Sequence, residues 1–427
     1  MKNFLAIIFG IFMISQISYT QEINFSGEVK TGFYIEQEKI GSQKPLAKGG
    51  ATNNDGDSGG GAGRIRLDFN FVYDQIGLRF RFQIDPVGGS MGPYLPKWNY
   101  AYAYGKLFDE QLTISAGLLG ESPWGTIGPK IRSEPETREY FGFNDLSGEQ
   151  YIANEGLMGI RFEYKPFFVP GLNLGLVLNQ PDQVTFDVQA QKFADMLLES
   201  VIGIAYKHDY FSVRLGYRMD SKPDTYRNTM NEGSRLLYSI EEHFLNTIAD
   251  GMRIWLYGCY YGIGCEQQTI DKMINGSPVK VTLGSGEYFI NWLHWLWDAQ
   301  NFLANADVCF SVYKSYNNDS FRPIERQQFQ SIELFPAFYY KFFDNNIQVG
   351  IKLGFCMEFG AGKTFSNSLL QYYQLEPKIQ LNLGTNAYIA AVYNYTDKYA
   401  WFDVIDIGRR GEKAIKHSLN IRASYTF

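Results

Sequence analysis

Cysteine and histidine are scarce in this sequence, with four of each among 427 residues. The cysteines are Cys259, Cys265, Cys309 and Cys356, and the histidines are His208, His243, His294 and His417. Four cysteines are too few for a disulfide scaffold, and no two of them have the CxxC spacing of a metal site. The histidines form no HExxH pair, and no Ser/His/Asp set can be assigned to one place. We therefore expect no catalytic residue, metal or cofactor, and a protein that is not an enzyme.

Long apolar runs and clustered positive charge are absent as well. After the first 20 residues, no stretch reaches the length of about 20 apolar residues that a transmembrane helix needs. The formal net charge is −6 without any run of Lys and Arg, so we expect no nucleic-acid partner, which would need a basic surface. Aromatic side chains are abundant instead, with 33 phenylalanines and 30 tyrosines at a mean hydropathy of −0.24. The composition thus combines many aromatic residues with a lack of membrane-spanning helices.

The N-terminus has the three parts of a secretory signal peptide. Lys2 supplies a positive charge, residues 4–14 form a short apolar segment, and Ser18 and Thr20 place small side chains at positions −3 and −1 of a cleavage site before Gln21. The apolar segment is too short for a transmembrane anchor. Because no cysteine stands at the cleavage point, a lipoprotein is not expected. We predict a signal peptide at residues 1–20 and a mature chain that begins at Gln21.

Apolar and polar residues alternate along the segment that follows. From Glu22 to Glu36, one face carries mainly Ile, Phe and Val, and the other carries mainly Asn, Ser, Glu and Lys. Strands of soluble proteins are usually shorter, and in a β-sandwich a second sheet covers one of their faces. The pattern therefore predicts a long strand with one apolar and one polar face.

A hairpin is predicted around Asp74-Gln75, and its register agrees on both faces. If these two residues form the turn, Leu67 pairs with Phe82 and Phe69 pairs with Phe80 on the apolar face. The polar face then pairs Asp68 with Arg81, Asn70 with Arg79 and Arg64 with Asp85. A one-residue slip would destroy both sets of pairs, so the register is well specified.

The same alternation recurs along the chain, and short turns alternate with long loops. The long loops are predicted at residues 37–63, 120–155, 179–199, 219–250 and 397–414. Strands with one apolar and one polar face fit a wall between lipid and water, and such a sheet must close because unpaired backbone groups are costly in hydrocarbon. We predict an all-β, closed antiparallel transmembrane β-barrel over residues 21–427, with roughly 16 strands and a range of about 14 to 18.

The middle of the chain departs from this alternation. Apolar residues recur at helical spacing within 235–249 and again within 261–302. We therefore predict short helical insertions near 235–249 and within 261–302. The segments 252–260 and 304–314 are predicted as strands, the first of them from a weak pattern.

Two features of this middle region leave alternatives open. Trp292, Trp295 and Trp297 form either a helix at the membrane interface or in the lumen, or an aromatic track that stacks on sugar rings. Cys259 and Cys265 either close a small disulfide loop in an oxidising compartment or pack as thiols. The sequence alone supports both interpretations of each feature.

The C-terminus resembles a known assembly signal. Residues 424–427 are Ser-Tyr-Thr-Phe, and apolar side chains alternate before the terminal Phe427. This pattern resembles the signal at the end of Gram-negative outer-membrane barrels, and it implies that the barrel-assembly machinery recognises Tyr425 and Phe427. Residues 99–118 resemble a strand-turn-strand segment of spirochaetal porin-like barrels. The resemblance implies an outer-membrane, porin-like protein.

The polar faces of the predicted strands provide candidates for the lining of a pore. They are Arg64, Arg66, Asp68, Arg79, Arg81, Asp85, Arg161, Glu163, Arg214 and Arg218. Within the loop of residues 120–155, Glu134, Glu136 and Glu139 are candidates for an acidic constriction opposite this basic wall. Such an arrangement would set up a transverse field that filters ions by charge. Alternatively, the charges only hydrate a wide lumen, because any water-filled barrel needs a polar interior.

The leading functional prediction is a porin that lets small hydrophilic solutes diffuse passively across the outer membrane. One alternative is a surface adhesin or structural barrel without conduction, whose long loops bind ligands. Another is a substrate-specific channel gated by the 261–302 insertion, for a hydrophobic or sugar ligand. The expected partners are outer-membrane lipid, the assembly machinery and the solutes, and a homo-oligomer is left open.

Overall fold

The computed structural model describes residues 21–52, 64–86, 94–119, 157–179, 200–218, 234–263, 268–274, 277–283, 287–314, 329–359, 370–399 and 413–427. The predicted signal peptide lies outside these residues, and so does the loop with Glu134, Glu136 and Glu139. Both therefore stay predictions.

The described chain is almost entirely antiparallel β-structure. The strands are β1 (Gln21–Ile40), β2 (Leu46–Thr52), β3 (Arg64–Tyr73), β4 (Ile76–Pro86), β5 (Tyr94–Leu107), β6 (Leu112–Leu119), β7 (Leu157–Tyr164), β8 (Leu172–Asn179), β9 (Val201–Lys207), β10 (Phe211–Arg218), β11 (Ser234–Glu242), β12 (Met252–Ile263), β13 (Gln268–Ile274), β14 (Ser277–Leu283), β15 (Glu287–Asp298), β16 (Phe302–Lys314), β17 (Phe329–Phe342), β18 (Ile347–Phe359), β19 (Leu370–Asn382), β20 (Ala387–Tyr399) and β21 (Lys413–Thr426). Within the described part of the chain, the one helix is α1 (Leu245–Ile248). No described helix is long and apolar enough to cross a membrane.

The main sheet closes on itself. Consecutive strands pair around the ring, β12 pairs directly with β15, and the first strand pairs with the last through a register that runs from Glu28 opposite Thr426 to Ile40 opposite Ala414. Of the 19 strands in this sheet, β2 pairs with β1 alone, so 18 strands form the ring. The predicted closed barrel is confirmed, and its strand number lies at the upper end of the expected range.

Two predicted loops contain strands. β2 lies within 37–63 and pairs with residues 32–38 of β1, beyond the part of β1 that pairs with β3. β11 lies within 219–250 and pairs with both β10 and β12. β13 and β14 form a separate two-stranded sheet. Among these strands, β11 alone belongs to the ring, and together with β15 it accounts for the two ring strands missing from the sequence-based count.

The predicted helix at 235–249 is wrong except for the four residues of α1. Most of this segment is β11, which has strand partners on both sides. Residues four apart, such as Leu236 and Ile240, lie on the same face of a helix and also on the same face of a strand. Their spacing therefore did not distinguish the two structures.

The helical insertion at 261–302 is also wrong among the described residues. β15 occupies most of its C-terminal half, and the strands predicted at 252–260 and 304–314 are confirmed as β12 and β16. Aromatic and β-branched residues favour strands. The prediction failed because Trp292 places a large aromatic ring on the face that is polar elsewhere, which hides the alternation.

The two faces of the barrel wall differ in polarity. Large exposed side chains are mostly apolar, and Phe25, Ile35, Ile202 and Ile379 are all more than half exposed. The opposite face holds most of the buried polar residues, such as Gln374. Interior and exterior residues alternate along each strand of a barrel, and side chains crowd on the concave side. The polar face is therefore the inner one.

Candidate functional site

The hairpin β3–β4 has the register expected from the sequence. Leu67 is opposite Phe82, Phe69 is opposite Phe80, and Asn70 is opposite Arg79. Phe69 and Phe80 stack on the outer face with ring centroids 4.7 Å apart. This agreement places Arg66, Asp68, Arg79 and Arg81 together on the inner face.

A network of arginine, carboxylate and tyrosine groups forms on this part of the inner wall. Arg81 Nε donates to Asp68 Oδ1 at 2.8 Å, and the hydroxyl of Tyr100 on β5 donates to the same oxygen. The guanidinium of Arg81 is 4.9 Å from the Tyr100 ring centroid, and that of Arg79 is 5.5 Å away. Both distances are within the range of cation–π attraction. The phenol therefore holds two cations and one carboxylate in place.

The network continues on both sides of Tyr100. On β7, Arg161 Nε lies 2.8 Å from Glu163 Oε1, and its guanidinium is 5.3 Å from the Tyr102 ring centroid. On β3, Arg66 donates to Gln83 and lies 3.9 Å from a carboxylate oxygen of Glu28. The basic side chains on these strands are therefore arranged by acceptors and aromatic rings.

Tyr100 and Tyr102 were not among the predicted lining residues, all of which are charged. The two residues are two positions apart, so the alternation in β5 places them on the same face of the strand. This alternation is the signal that could have identified them. A register shift between Arg81 and Phe82 separates this part of β5 from Trp98, which lies opposite Phe82.

The other predicted lining residues are distributed along the wall. Arg214 is half-buried on β10, opposite Ala205 of β9 and Ser239 of β11. The backbones of Arg64, Asp85 and Arg218 lie in strands, but their side chains lie outside the described residues. The assignment of all these residues to a pore stays a prediction.

A second part of the inner wall carries aromatic and apolar side chains. A buried cluster runs over strands from β5 to β12 and includes Val177 and Val201, which are directly opposite each other. Trp292 packs against this cluster and stacks on Tyr257, with ring centroids 6.1 Å apart and planes 5° apart. The interpretation of Trp292 as part of an interfacial or plugging helix is therefore wrong, because the indole lies on the inner face of β15.

Beyond the tryptophan, β15 and β16 carry an acid–base pair. His294 is opposite Asp307, and His294 Nδ1 lies 2.5 Å from Asp307 Oδ1. Among the described residues, no three His, Cys, Asp or Glu side chains are placed to hold a metal ion. The side chains of Cys259 and Cys265 are outside the described residues, so their disulfide stays a prediction.

The C-terminal residue completes the closing seam. The backbone N–H and C=O of Phe427 bond to the C=O and N–H of Gly27 at 3.0 and 2.9 Å. The ring of Phe427 lies over Gly27, where an added Cβ would be 2.4 Å from ring carbon Cζ. It also packs 5.9 Å from the Tyr425 ring and 5.5 Å from the Phe25 ring, measured between centroids. The last residue thus pairs with the first strand.

Comparisons with known proteins show the fold. No family model and no curated protein matches the sequence. The solved structure of OccAB2 from Acinetobacter baumannii has a TM-score of 0.50 at 10% identity, over 95% of this chain and 98% of that chain. An anion-selective porin from Comamonas acidovorans has a TM-score of 0.49 at 9% identity, over 95% and 100% of the two chains. The closed ring of strands and the likeness to OccAB2 show a porin-like barrel fold.

Proposed function

We propose that this protein is an outer-membrane porin through which small hydrophilic solutes diffuse passively. The observation that carries the proposal is the closed ring of 18 strands with an exposed apolar outer face and a polar, charged inner face. An apolar exterior matches lipid, and a polar interior matches water. Closure supports the same location, because it leaves no unpaired strand edge in hydrocarbon.

The arginine network supports a lumen that acts on charged solutes. Arg66 lies on β3, Arg79 and Arg81 lie on the adjacent β4, and Arg161 lies on β7. Acceptors hold Arg66, Arg81 and Arg161, and the Tyr100 ring lies beside Arg79. Together with an acidic constriction at Glu134, Glu136 and Glu139, they would form a transverse field that orients dipolar solutes. In this proposal the lining comprises the predicted inward charges, and Tyr100 and Tyr102 position three of the arginines.

Export and assembly are part of the proposal. The signal peptide at residues 1–20 would direct the chain out of the cytoplasm, and the assembly machinery would recognise Tyr425 and Phe427. The pairing of Phe427 with Gly27 supports a role for the terminus in closure. The resemblance of residues 99–118 to spirochaetal barrels stays a prediction, although the strand-turn-strand form of that segment is confirmed by β5 and β6.

Single-channel recording in planar bilayers tests the proposal. The refolded protein is expected to produce steady conducting steps, and Arg79→Glu with Arg81→Glu should shift the reversal potential in a salt gradient towards cation preference. The control Arg79→Lys with Arg81→Lys keeps the charge and should leave the sign of the preference unchanged. A correctly folded barrel that produces no steps would support the adhesin instead.

A substrate-specific channel is the second candidate, and the aromatic part of the inner wall favours it. Tyr257 and Trp292 stack on the same face as the charged lining, which plain hydration of a lumen does not require. In such a channel, conductance steps would be interrupted by a solute that binds to this wall. Uninterrupted steps in the presence of many candidate solutes would favour the general porin.

A further inference from the structure

The four arginines of the network on the inner wall differ in how their charge is balanced. Three of them have carboxylate partners, namely Arg66 with Glu28, Arg81 with Asp68 and Arg161 with Glu163. Among the residues that the structure describes, none forms an ion pair with Arg79. Arg79 is also exposed, whereas the other three arginines are half-buried or buried. Its positive charge is therefore both accessible and unbalanced.

The residues beside Arg79 in the strand pairing carry no negative charge. Asn70 lies directly opposite on β3, and Asn24 lies opposite Asn70 on β1. On the other side, Tyr102 of β5 lies directly opposite, and Gly117 of β6 follows it. No member of this row is acidic, so the row itself supplies no counter-ion.

Two carboxylates lie in the rows on either side of this one, and both have other partners. Asp68 accepts a hydrogen bond from Arg81 Nε at 2.8 Å and another from the Tyr100 hydroxyl. Glu22, on β1, accepts a hydrogen bond from Asn24 at 3.0 Å. The cation between these rows therefore has no contacting counter-ion on the described wall.

Two tyrosine side chains hold the Arg79 guanidinium in place. Its Cζ is 5.5 Å from the Tyr100 ring centroid, and both Tyr100 and Tyr102 hydrogen-bond to it. A phenol hydroxyl is uncharged at neutral pH, so these contacts fix the position of the group without cancelling its charge. A guanidinium has five N–H donors, which two phenol oxygens do not exhaust.

Arg253 of β12 is a useful comparison. It lies two positions from the inward Trp255 and therefore on the inner face, and it is exposed. Within the described part of the chain, no ion pair or ring contact holds its side chain. An anion that binds to such a side chain must first order it, which costs conformational entropy. The positioned guanidinium of Arg79 is therefore expected to bind an anion more tightly than that of Arg253.

We propose that Arg79 binds the carboxylate of a small organic acid in the lumen, an inference that rests on the proposed channel function. The planar guanidinium matches a carboxylate through two parallel N–H···O bonds, which a chloride ion cannot form. One unbalanced positive charge matches one negative charge, which favours a monocarboxylate over a phosphate dianion. The other three arginines keep their own carboxylate partners and contribute to the field of the wall.

Arginine modification of the detergent-refolded full chain tests this site without requiring conduction. Phenylglyoxal modifies accessible guanidinium groups, and mass spectrometry of the peptides reports the rate at each arginine. Arg79 and Arg253 are expected to react faster than the three paired arginines. Propionate, exchanged for chloride at constant ionic strength, should slow the reaction of Arg79 by about 10-fold at about ten times its half-protection concentration, by mass action. It should leave the rate at Arg253 nearly unchanged, and the uncharged propionamide should protect neither residue.

Three results would each overturn the site. They are equal protection of Arg79 and Arg253 by propionate, protection of Arg79 by propionamide as strong as that by propionate, and an Arg79 that does not react even without propionate. Each would remove the accessible, charge-selective and positioned guanidinium that the proposal requires.

Variants of Tyr100 test whether the ring positions the guanidinium. Tyr100→Leu removes the ring and should raise the half-protection concentration at Arg79 several-fold, while Arg253 reacts as before. Tyr100→Phe keeps the ring and should remain closer to the wild type. A leucine variant with the protection of the wild type would refute the positioning role. If the leucine variant does not refold, the comparison of Arg79 with Arg253 in the wild type still decides the site.

Single-channel recording separates the site from the proposed function. In the wild type and in the control Arg253→Gln, the conductance in potassium propionate should level off as the concentration rises, because a binding site saturates. In Arg79→Gln, it should rise nearly in proportion to the concentration. Protection of Arg79 in a protein that does not conduct would reject the porin and support the site. Conduction without protection of Arg79 would reject the site and leave the porin.

Discussion

At the scale of single residues, Tyr100 illustrates how charge is kept on the inner wall. The side chain is 3% exposed, and its hydroxyl reaches Asp68 across one intervening strand. Arginine side chains are flexible, and an isolated surface ion pair stabilises a protein by only about 0–1 kcal/mol. The Tyr100 ring contacts both Arg79 and Arg81, and the Asp68 carboxylate also bonds to Arg81, so these guanidinium groups are held more firmly than in such a pair. Tyr100 positions the two guanidinium groups, and these groups carry the positive charge of the wall.

Cysteine labelling tests which face of the β3–β4 hairpin meets water. In a background with the native cysteines replaced by serine, single cysteines at Arg66 and Arg79 should react with a membrane-impermeant maleimide in refolded proteoliposomes. Cysteines at Phe69 and Phe80 should be spared, because lipid would cover them. The control is labelling in denaturant, where all four should react equally. The reverse pattern in lipid would show that the faces are assigned wrongly.

Arginine in place of Phe80 tests the lipid-facing side of the same hairpin energetically. A charge on the lipid face near the bilayer midplane costs about 2 to 4 kcal/mol, so Phe80→Arg should lower the free energy of unfolding in vesicles by this amount. Reversible urea titration followed by tryptophan fluorescence measures the change. Phe80→Leu keeps an apolar side chain and should cost less. An arginine variant as stable as the leucine variant would mean that position 80 faces water.

At the scale of elements, the hairpins were the easiest part to predict. The register of β3–β4 follows from two local facts, namely the length of the turn and the alternation on both faces. β15 was the hardest element to predict. Trp292 lies on its inner face, whereas Trp295 and Trp297 alternate onto its outer face. An inner face that carries aromatic rings removes the contrast from which a strand is recognised.

Deletion of Phe427 tests the last strand as an element of closure and assembly. Burial of a Phe side chain contributes only about 1.5 to 3 kcal/mol, which a stable barrel can lose. If the terminus is also an assembly signal, the deletion variant should accumulate in cells as unassembled, protease-sensitive protein but still refold in lipid. Phe427→Leu retains an apolar end and separates loss of the backbone pair with Gly27 from loss of the ring. Normal assembly of the deletion variant in cells would refute the signal.

At the scale of the whole molecule, closure between β1 and β21 defines the barrel. Thr31 lies directly opposite Ala423 in this seam. Directly paired residues have Cα atoms about 4.5 to 5.5 Å apart, which a disulfide can span. Closure therefore predicts that Thr31 and Ala423, which are near opposite ends of the chain, are close enough to be joined by a disulfide.

An engineered disulfide tests the seam. Thr31→Cys with Ala423→Cys should form an intramolecular cross-link after refolding in lipid, detected by non-reducing electrophoresis and identified by mass spectrometry of the joined peptides. In the control, Thr31→Cys with Leu419→Cys, the second residue is four positions along the strand, about 13 Å away, and no cross-link is expected. Equal cross-linking of both variants, or of neither, would contradict the register of closure.

The sequence by itself determined the alternating faces, the hairpin register around Asp74-Gln75 and the all-β class, because these depend on a period of two and on turns between neighbouring segments. The tertiary structure decided the 18 strands of the ring, the pairing of β12 with β15, and the meeting of Tyr100 with Asp68 and of His294 with Asp307. Such contacts join residues on different strands. Their partners depend on how many strands intervene, how the sheet closes and which side chains crowd on its concave side, and no local pattern encodes these.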